Sequence, residues 1–159
     1  MTGFFKGFDP VFDQDSVLLI LGSFPSVKSR KEGFYYGNPQ NRFWRTVCGY
    51  FGESVPSSIA DKRDFLLRRK IALWDVVTAC EIDGSKDNSI RNEEVADLLG
   101  LFQNSNIKRI FCNGGKSFEL LEREFPALLE KAQKLPSTSP ANPRFSKELW
   151  HKALDEVFL

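Results

Sequence analysis

Val17-Leu18-Leu19-Ile20-Leu21 is the longest uninterrupted apolar run in the chain. A membrane helix needs about 20 such residues, so this run cannot be one. A strand with one face in water would alternate polar and apolar residues, and this run does not. It reads as a short strand buried on both faces and ended by Gly22-Ser23. Such a strand needs covering layers above and below it.

The rest of the 159-residue chain supplies those layers. A loop over 24–40, broken by Pro25, Gly33, Gly37 and Pro39, leads to Asn41, which can cap a helix carrying Phe43, Trp44, Val47, Cys48 and Phe51. Gly52 stops that helix, and a second follows over 59–69 with Phe65 and Leu66 inward. Residues 70–77 read as a strand, 80–91 as a polar loop and 92–102 as a helix. A third strand over 107–112 turns at Asn113-Gly114-Gly115 into a helix with Phe118, Leu120, Leu121 and Phe125. A short strand over 132–135, a loop over 136–143 and a Ser146-capped helix through Phe158 complete the chain. Strands separated by helical segments need crossover connections, which makes the sheet parallel. The expected fold is therefore α/β: a three-layer α/β/α sandwich around a central, mostly parallel four-stranded sheet, as one domain over 1–159.

Composition narrows the chemistry. Hydrophobic residues make up 42%, enough for a core without staples. The N-terminal stretch carries Lys6, Asp9, Asp13 and Asp15 and lacks the apolar region of a secretory signal. Three widely spaced cysteines (Cys48, Cys80 and Cys112) suit reduced thiols in a cytoplasmic protein rather than a disulfide framework. A single histidine, His151, in an amphipathic C-terminal segment, argues against a zinc site or a histidine-based triad. Neither a metal nor a cofactor is expected, and nothing suggests more than a monomer.

The net charge of +1 conceals an asymmetry. Residues 28–45 carry Lys28, Arg30, Lys31, Arg42 and Arg45 against Glu32. Residues 131–147 carry Lys131, Lys134, Arg144 and Lys147 with no acid. Each segment is +4, so the remainder is −7. Ligands of parallel sheets bind at the carboxyl ends of the strands, here residues 23–40, 78–91, 113–116 and 136–143. Both basic segments overlap that edge, which suits a polyanion approaching one face.

Residues 34–44 are the most unusual segment: five aromatics and three amide side chains beside basic residues. Aromatic faces for stacking and amides for reading edges are what a pocket for a flat heterocycle requires. Phe43 and Trp44 lie on a helical stripe and also read as core, whereas Tyr35 and Tyr36 are the stacking candidates. The loop Pro136-Ser137-Thr138-Ser139-Pro140-Ala141-Asn142-Pro143 offers small polar groups that can approach a phosphate backbone, or it is a plain capped connection. Asn113-Gly114-Gly115-Lys116 can cradle an anion or form a tight turn. Asp75, Glu81 and Asp83 lie at or beyond the second strand's carboxyl end, within reach of a pocket as acid or base.

Gly22-Ser23-Phe24-Pro25-Ser26 followed by Tyr35-Tyr36-Gly37-Asn38-Pro39-Gln40-Asn41-Arg42-Phe43-Trp44 resembles the first motif region of the uracil-DNA glycosylase superfamily. The hypoxanthine-DNA glycosylase branch is the nearest. Leu73-Trp74-Asp75-Val76-Val77-Thr78-Ala79-Cys80, Gly84-Ser85 with Ile90-Arg91, Cys112-Asn113-Gly114-Gly115-Lys116 and residues 135–142 fit the same branch in the same order. The resemblance implies hydrolytic excision of a deaminated base, most simply hypoxanthine, from damaged DNA. It brings no lyase step, for which no lysine is placed.

The resemblance also implies roles. Phe24 stands where the mismatch-specific branch has a water-positioning Asn, so that role falls to Asn41, with Asn38 second; Asn41 can serve as helix cap as well. Tyr36 aligns with the aromatic that stacks on the extruded base, and Ser23, Phe24 and Asn113 join it as base-binding residues. Ser137, Thr138, Ser139 and Asn142, with Arg144 and Arg42, are the DNA-binding set. A Leu-Pro opening replaces the His-Pro of the uracil-specific branch. A uracil- or mismatch-specific enzyme, a non-catalytic DNA-binding module and a flavodoxin-like nucleotide binder are the rivals.

Overall fold

A computed structural model describes residues 2–159. Its central sheet holds four parallel strands in the order β3-β2-β6-β7: β2 is Leu18–Gly22, β3 Ile71–Asp75, β6 Arg109–Asn113 and β7 Ala132–Leu135. All five residues of β2 are buried, as an apolar run without alternation requires. Its side chains divide between two cores. Leu18 and Ile20 face a cluster with Phe43, Val47, Phe65, Leu66 and Trp150. Leu19 and Leu21 face another with Leu98, Leu101, Leu120 and Leu121. The helices behind the first cluster are α2 (Phe43–Tyr50), α3 (Ile59–Arg68) and α6 (Lys147–Phe158); those behind the second are α4 (Leu98–Gln103) and α5 (Gly115–Glu124). The three-layer α/β/α expectation holds. All three cysteines are free and buried in these cores, and no described helix is long and apolar enough to cross a membrane.

Three local expectations are corrected. The 24–40 loop contains a helix, α1 (Val27–Glu32), capped by Ser26, whose Oγ accepts the Ser29 N–H, and ended by Gly33 at φ +82°. Residues 80–91 are not all loop, because β4 (Val77–Asp83) runs on through Asp83 and pairs antiparallel with β1 (Thr2–Lys6), a strand the sequence pattern did not reveal. Residues 92–102 are not one helix. Asn92 sits at φ +51°, outside helical space, and β5 (Arg91–Val95) pairs with β4 before the short α4 begins. A second, three-stranded antiparallel sheet, β1-β4-β5, results.

Candidate active site

The carboxyl ends of the parallel strands meet at one hollow of about 300 Å³. Gly22 comes from the end of β2 and Ser23 follows it, Asp75 comes from β3, Asn113 from β6 and Ser137, Thr138 and Ser139 from the loop after β7. Phe24, Tyr36, Asn38 and Asn41 close it from the segment between β2 and α2, and Ser85 and Asp87 flank it from beyond β4. Asn38 and Asn41, expected to be catalytic, and Ser23, Phe24, Tyr36 and Asn113, expected to bind the base, therefore line a single cavity.

Asn41 both caps and faces the hollow. Its Oδ1 accepts the Phe43 N–H at 2.9 Å, while the N-cap position proper falls to Arg42, which makes no side-chain cap bond. Asn38 Oδ1 accepts the Gln40 N–H at 3.0 Å, and the Asn38 carbonyl accepts the Asn41 N–H at 2.9 Å. These turns fix both amides at the rim. Tyr36 is held at φ +53°, a strained left-handed conformation for a tyrosine, and its ring stacks on Phe43 at 4.2 Å. Phe43 covers one face of the ring, and the residue lines the hollow. Tyr35, the other stacking candidate, is a core residue: it is buried and its hydroxyl donates to the Asp9 carbonyl at 2.7 Å. Phe24 is buried at the wall, with the Arg30 guanidinium 5.4 Å from its ring centre.

The 136–143 loop is built as a rigid rim. Asn113 Nδ2 donates to Thr138 Oγ1, and the Thr138 N–H donates to Asn113 Oδ1, both at 3.0 Å. Ser137 Oγ accepts the Ser139 N–H, and the Ser137 carbonyl accepts Asn142 Nδ2. Gly114, at φ +96°, lets Ser137 approach; a Cβ there would stand 3.1 Å from Ser137 Cβ. Arg42 is turned inward: its Nη2 donates to the carbonyls of Ser139 and Asn142 at 2.6 and 2.8 Å, and the guanidinium lies over Phe145. Thr138 is 1% exposed. Arg42 and Thr138 thus hold the loop from within. Arg144, together with Lys28, Lys31, Arg45, Lys134 and Lys147, stays exposed on the outside.

Asp75 is the site residue the motifs weighted least. It is 5% exposed and pairs in register with Gly22, where any Cβ would overlap Asp75 Oδ1. Burial, then the nearby Asp87, push its carboxyl up to about 7. Burial also drives the Tyr36 hydroxyl above its usual range, with Asp75 adding and the neighbouring Asn113 amide opposing. Among the described residues, neither Tyr36 Oη nor Asp75 Oδ2 closes a hydrogen bond of normal geometry. Asp87 accepts from Ser23 Oγ at 2.9 Å and is itself raised by burial, opposed by Ser23 and Lys116. An acidic residue ending a buried parallel strand was the signal that could have ranked Asp75 higher. Glu81 and Asp83, the other two carboxylates considered, lie on β4 and do not line the cavity.

The family profile described as the Uracil DNA glycosylase superfamily matches residues 10–157. The chain belongs to the uracil-DNA glycosylase superfamily. Among its members, the protein named hypoxanthine DNA glycosylase from Methanosarcina acetivorans is 38% identical over 143 residues, covering 89% of this chain and 90% of that one. Its namesake from Methanosarcina barkeri is 38% identical over 144 residues, with the same coverage. A solution NMR structure of a candidate uracil DNA glycosylase from Methanosarcina acetivorans superposes with a TM-score of 0.84 at 36% identity, over 98% of this chain and 99% of that one. The superfamily fold explains why the motif segments, far apart in sequence, share one sheet edge.

Proposed function

We propose that this chain is a monofunctional DNA glycosylase that extrudes a deaminated base, hypoxanthine first, and hydrolyses its N-glycosidic bond. The observation that carries the reading is the convergence of Tyr36, Asn38 and Asn41 on one cavity at the sheet edge, in a chain whose relatives are named for hypoxanthine excision. Extrusion costs a few kcal/mol, least for a mispaired base. The Tyr36 face away from Phe43 receives the base, and exposed cations including Arg144 take phosphate contacts around the rim.

Cleavage leaves an electron-poor sugar and an electron-rich base. Preorganised dipoles stabilise that charge without reorganising at the moment of reaction. Asn41 suits this role because its cap to Phe43 already fixes the amide; one Oδ1 lone pair serves the helix, and the rest of the group orients water or the base. Backbone N–H groups near Ser23 and Phe24 meet the departing ring. Water then delivers hydroxyl to C1′, its remaining proton passes to solvent, and an abasic site is left.

The test is incubation with duplexes holding hypoxanthine, uracil or xanthine, followed by alkali treatment and strand analysis. Strand breaks at hypoxanthine support the reading. Breaks at uracil alone would reassign the lesion, and tight binding with no breaks on any duplex would make the protein a non-catalytic binder.

A further inference from the structure

Two buried polar groups converge on the cavity floor, and neither has a part in the scheme above. Gly22, buried in β2, has no side chain, and the space a Cβ would occupy is bounded by Asp75 Oδ1 and by Tyr36 Oη, the latter 3.3 Å from that position. Asp75 Oδ2 and Tyr36 Oη close no hydrogen bond of normal geometry among the described residues, and Tyr36 Oη has only the Asn113 amide beside it. Buried polar atoms are nearly always satisfied, and leaving one unmet costs about 1–3 kcal/mol. Two such groups, on residues that both line one ligand-sized hollow, point to a ligand that meets them.

The electrical setting decides what Asp75 can offer. The groups facing it are Asp87, from the turn after β4, and the neutral hydroxyls of Tyr35 and Tyr36. No cation is among the causes acting on Asp75; Lys116 acts on Asp87 instead. An ionised carboxylate there would repel a base departing with the bonding electrons. A protonated one would assist it, and its burial raises the carboxyl to about 7. A carboxylic acid kept neutral in an apolar site is a hydrogen-bond and proton donor.

We propose that Asp75 is the general acid of this site, passing its proton to a ring nitrogen of the departing purine as the glycosidic bond breaks. The inference rests on the glycosylase reading and deepens it. The N9–C1′ electron pair goes to the purine, and the Asp75 proton neutralises that charge, so the base leaves uncharged. C1′ takes hydroxyl from water, whose other proton goes to solvent. Asp75 regains its proton from solvent once the base has gone. A Gly at 22 is required because only a bare Cα leaves room for the carboxyl.

The experiment is single-turnover excision from a hypoxanthine duplex between pH 5.5 and 9, with wild type and Asp75→Asn, alongside DNA binding by fluorescence anisotropy. Asn keeps the shape and can donate a hydrogen bond, but it cannot transfer a proton. The wild-type rate is expected to fall as pH rises through the neutral range. Asp75→Asn is expected to lose about 10²-fold or more near pH 6, to show no alkaline fall, and to bind the duplex within a few-fold of wild type. A variant within a few-fold of wild type, or with the same pH profile, would overturn the assignment. A wild-type profile flat across this range would overturn it whether or not the variant folds. Wild type that releases no hypoxanthine at any pH removes the glycosylase reading itself, and this inference with it; release by wild type with an unimpaired variant removes Asp75 alone.

Discussion

Asn113, at the end of β6, and Thr138, in the loop after β7, grip each other twice: Nδ2 to Oγ1 and backbone N–H to Oδ1, each at 3.0 Å. An amide that uses both ends on one residue fixes its position in translation and rotation. This pair ties the 136–143 rim to the sheet and makes Asn113 a clamp as well as a cavity wall.

Replacing Asn113 with Ala should therefore loosen the rim before it harms anything else. Two partly buried hydrogen bonds at about 1 kcal/mol each predict a loss of roughly 2 kcal/mol in urea unfolding. Amide exchange should quicken around Thr138 and Ser139 while β2 stays protected. A Thr138→Val variant should lose about half as much, because its backbone N–H still donates to Asn113 Oδ1, and the double variant should cost less than the sum of the singles; additive losses would show that the pair is not coupled.

Arg42 and Arg144 should behave oppositely although both are arginines of the basic rim. Arg42 binds two loop carbonyls from inside, so Arg42→Ala should lower stability by about 3–6 kcal/mol, since hydrogen bonds to a charged donor contribute about 1.5–3 each. Arg144 is exposed, so Arg144→Ala should leave the melt unchanged, weaken duplex binding and reduce the salt dependence by about one counterion. Titration at several salt concentrations separates the two.

Asn41→Ala should cut single-turnover excision by about 10² or more with duplex affinity nearly intact. It should also cost about 1 kcal/mol of stability, because the Phe43 N–H loses its acceptor. Asn41→Asp keeps that acceptor and should recover the stability but not the rate. Full turnover by the Ala variant would remove Asn41 from the chemistry.

Asp75 makes stability depend on pH in a definite direction. Its folded carboxyl is raised to about 7 from an ordinary 3.8. Below the ordinary value both states hold the proton and ionisation costs nothing. Between there and pH 7 the unfolded chain releases the proton while the folded chain keeps it, so stability falls; above pH 7 the penalty levels off. Asp75→Asn does not titrate. From pH 4 to pH 8 the stability difference should move in the variant's favour by on the order of 4 kcal/mol. Parallel wild-type and variant curves across that range would mean that Asp75 ionises normally in the fold.

The sequence by itself determined the parallel sheet and its working edge. An unbroken apolar run such as 17–21 can only be a strand covered on both faces, and crossover spacing fixes the direction of its neighbours. With those directions set, Ser23, Asn113 and Ser137 had to meet at the carboxyl edge, and the motif segment with Tyr36, Asn38 and Asn41 was legible beside them. Tertiary structure alone decided the rest. β1 displays Phe4 and Phe5 to solvent, and β5 carries Asn92-Glu93-Glu94, so neither shows the pattern of a buried strand. Their pairings join residues 4 with 81 and 81 with 91, and local pattern does not encode a partner. Arg42 reads in the sequence as a phosphate contact, and only the folded chain brings the Ser139 and Asn142 carbonyls against its guanidinium. Asp75 carries the same carboxyl as Glu81 and Asp83; its distinct chemistry comes from desolvation, which depends on what packs around a group and not on where it stands in the chain.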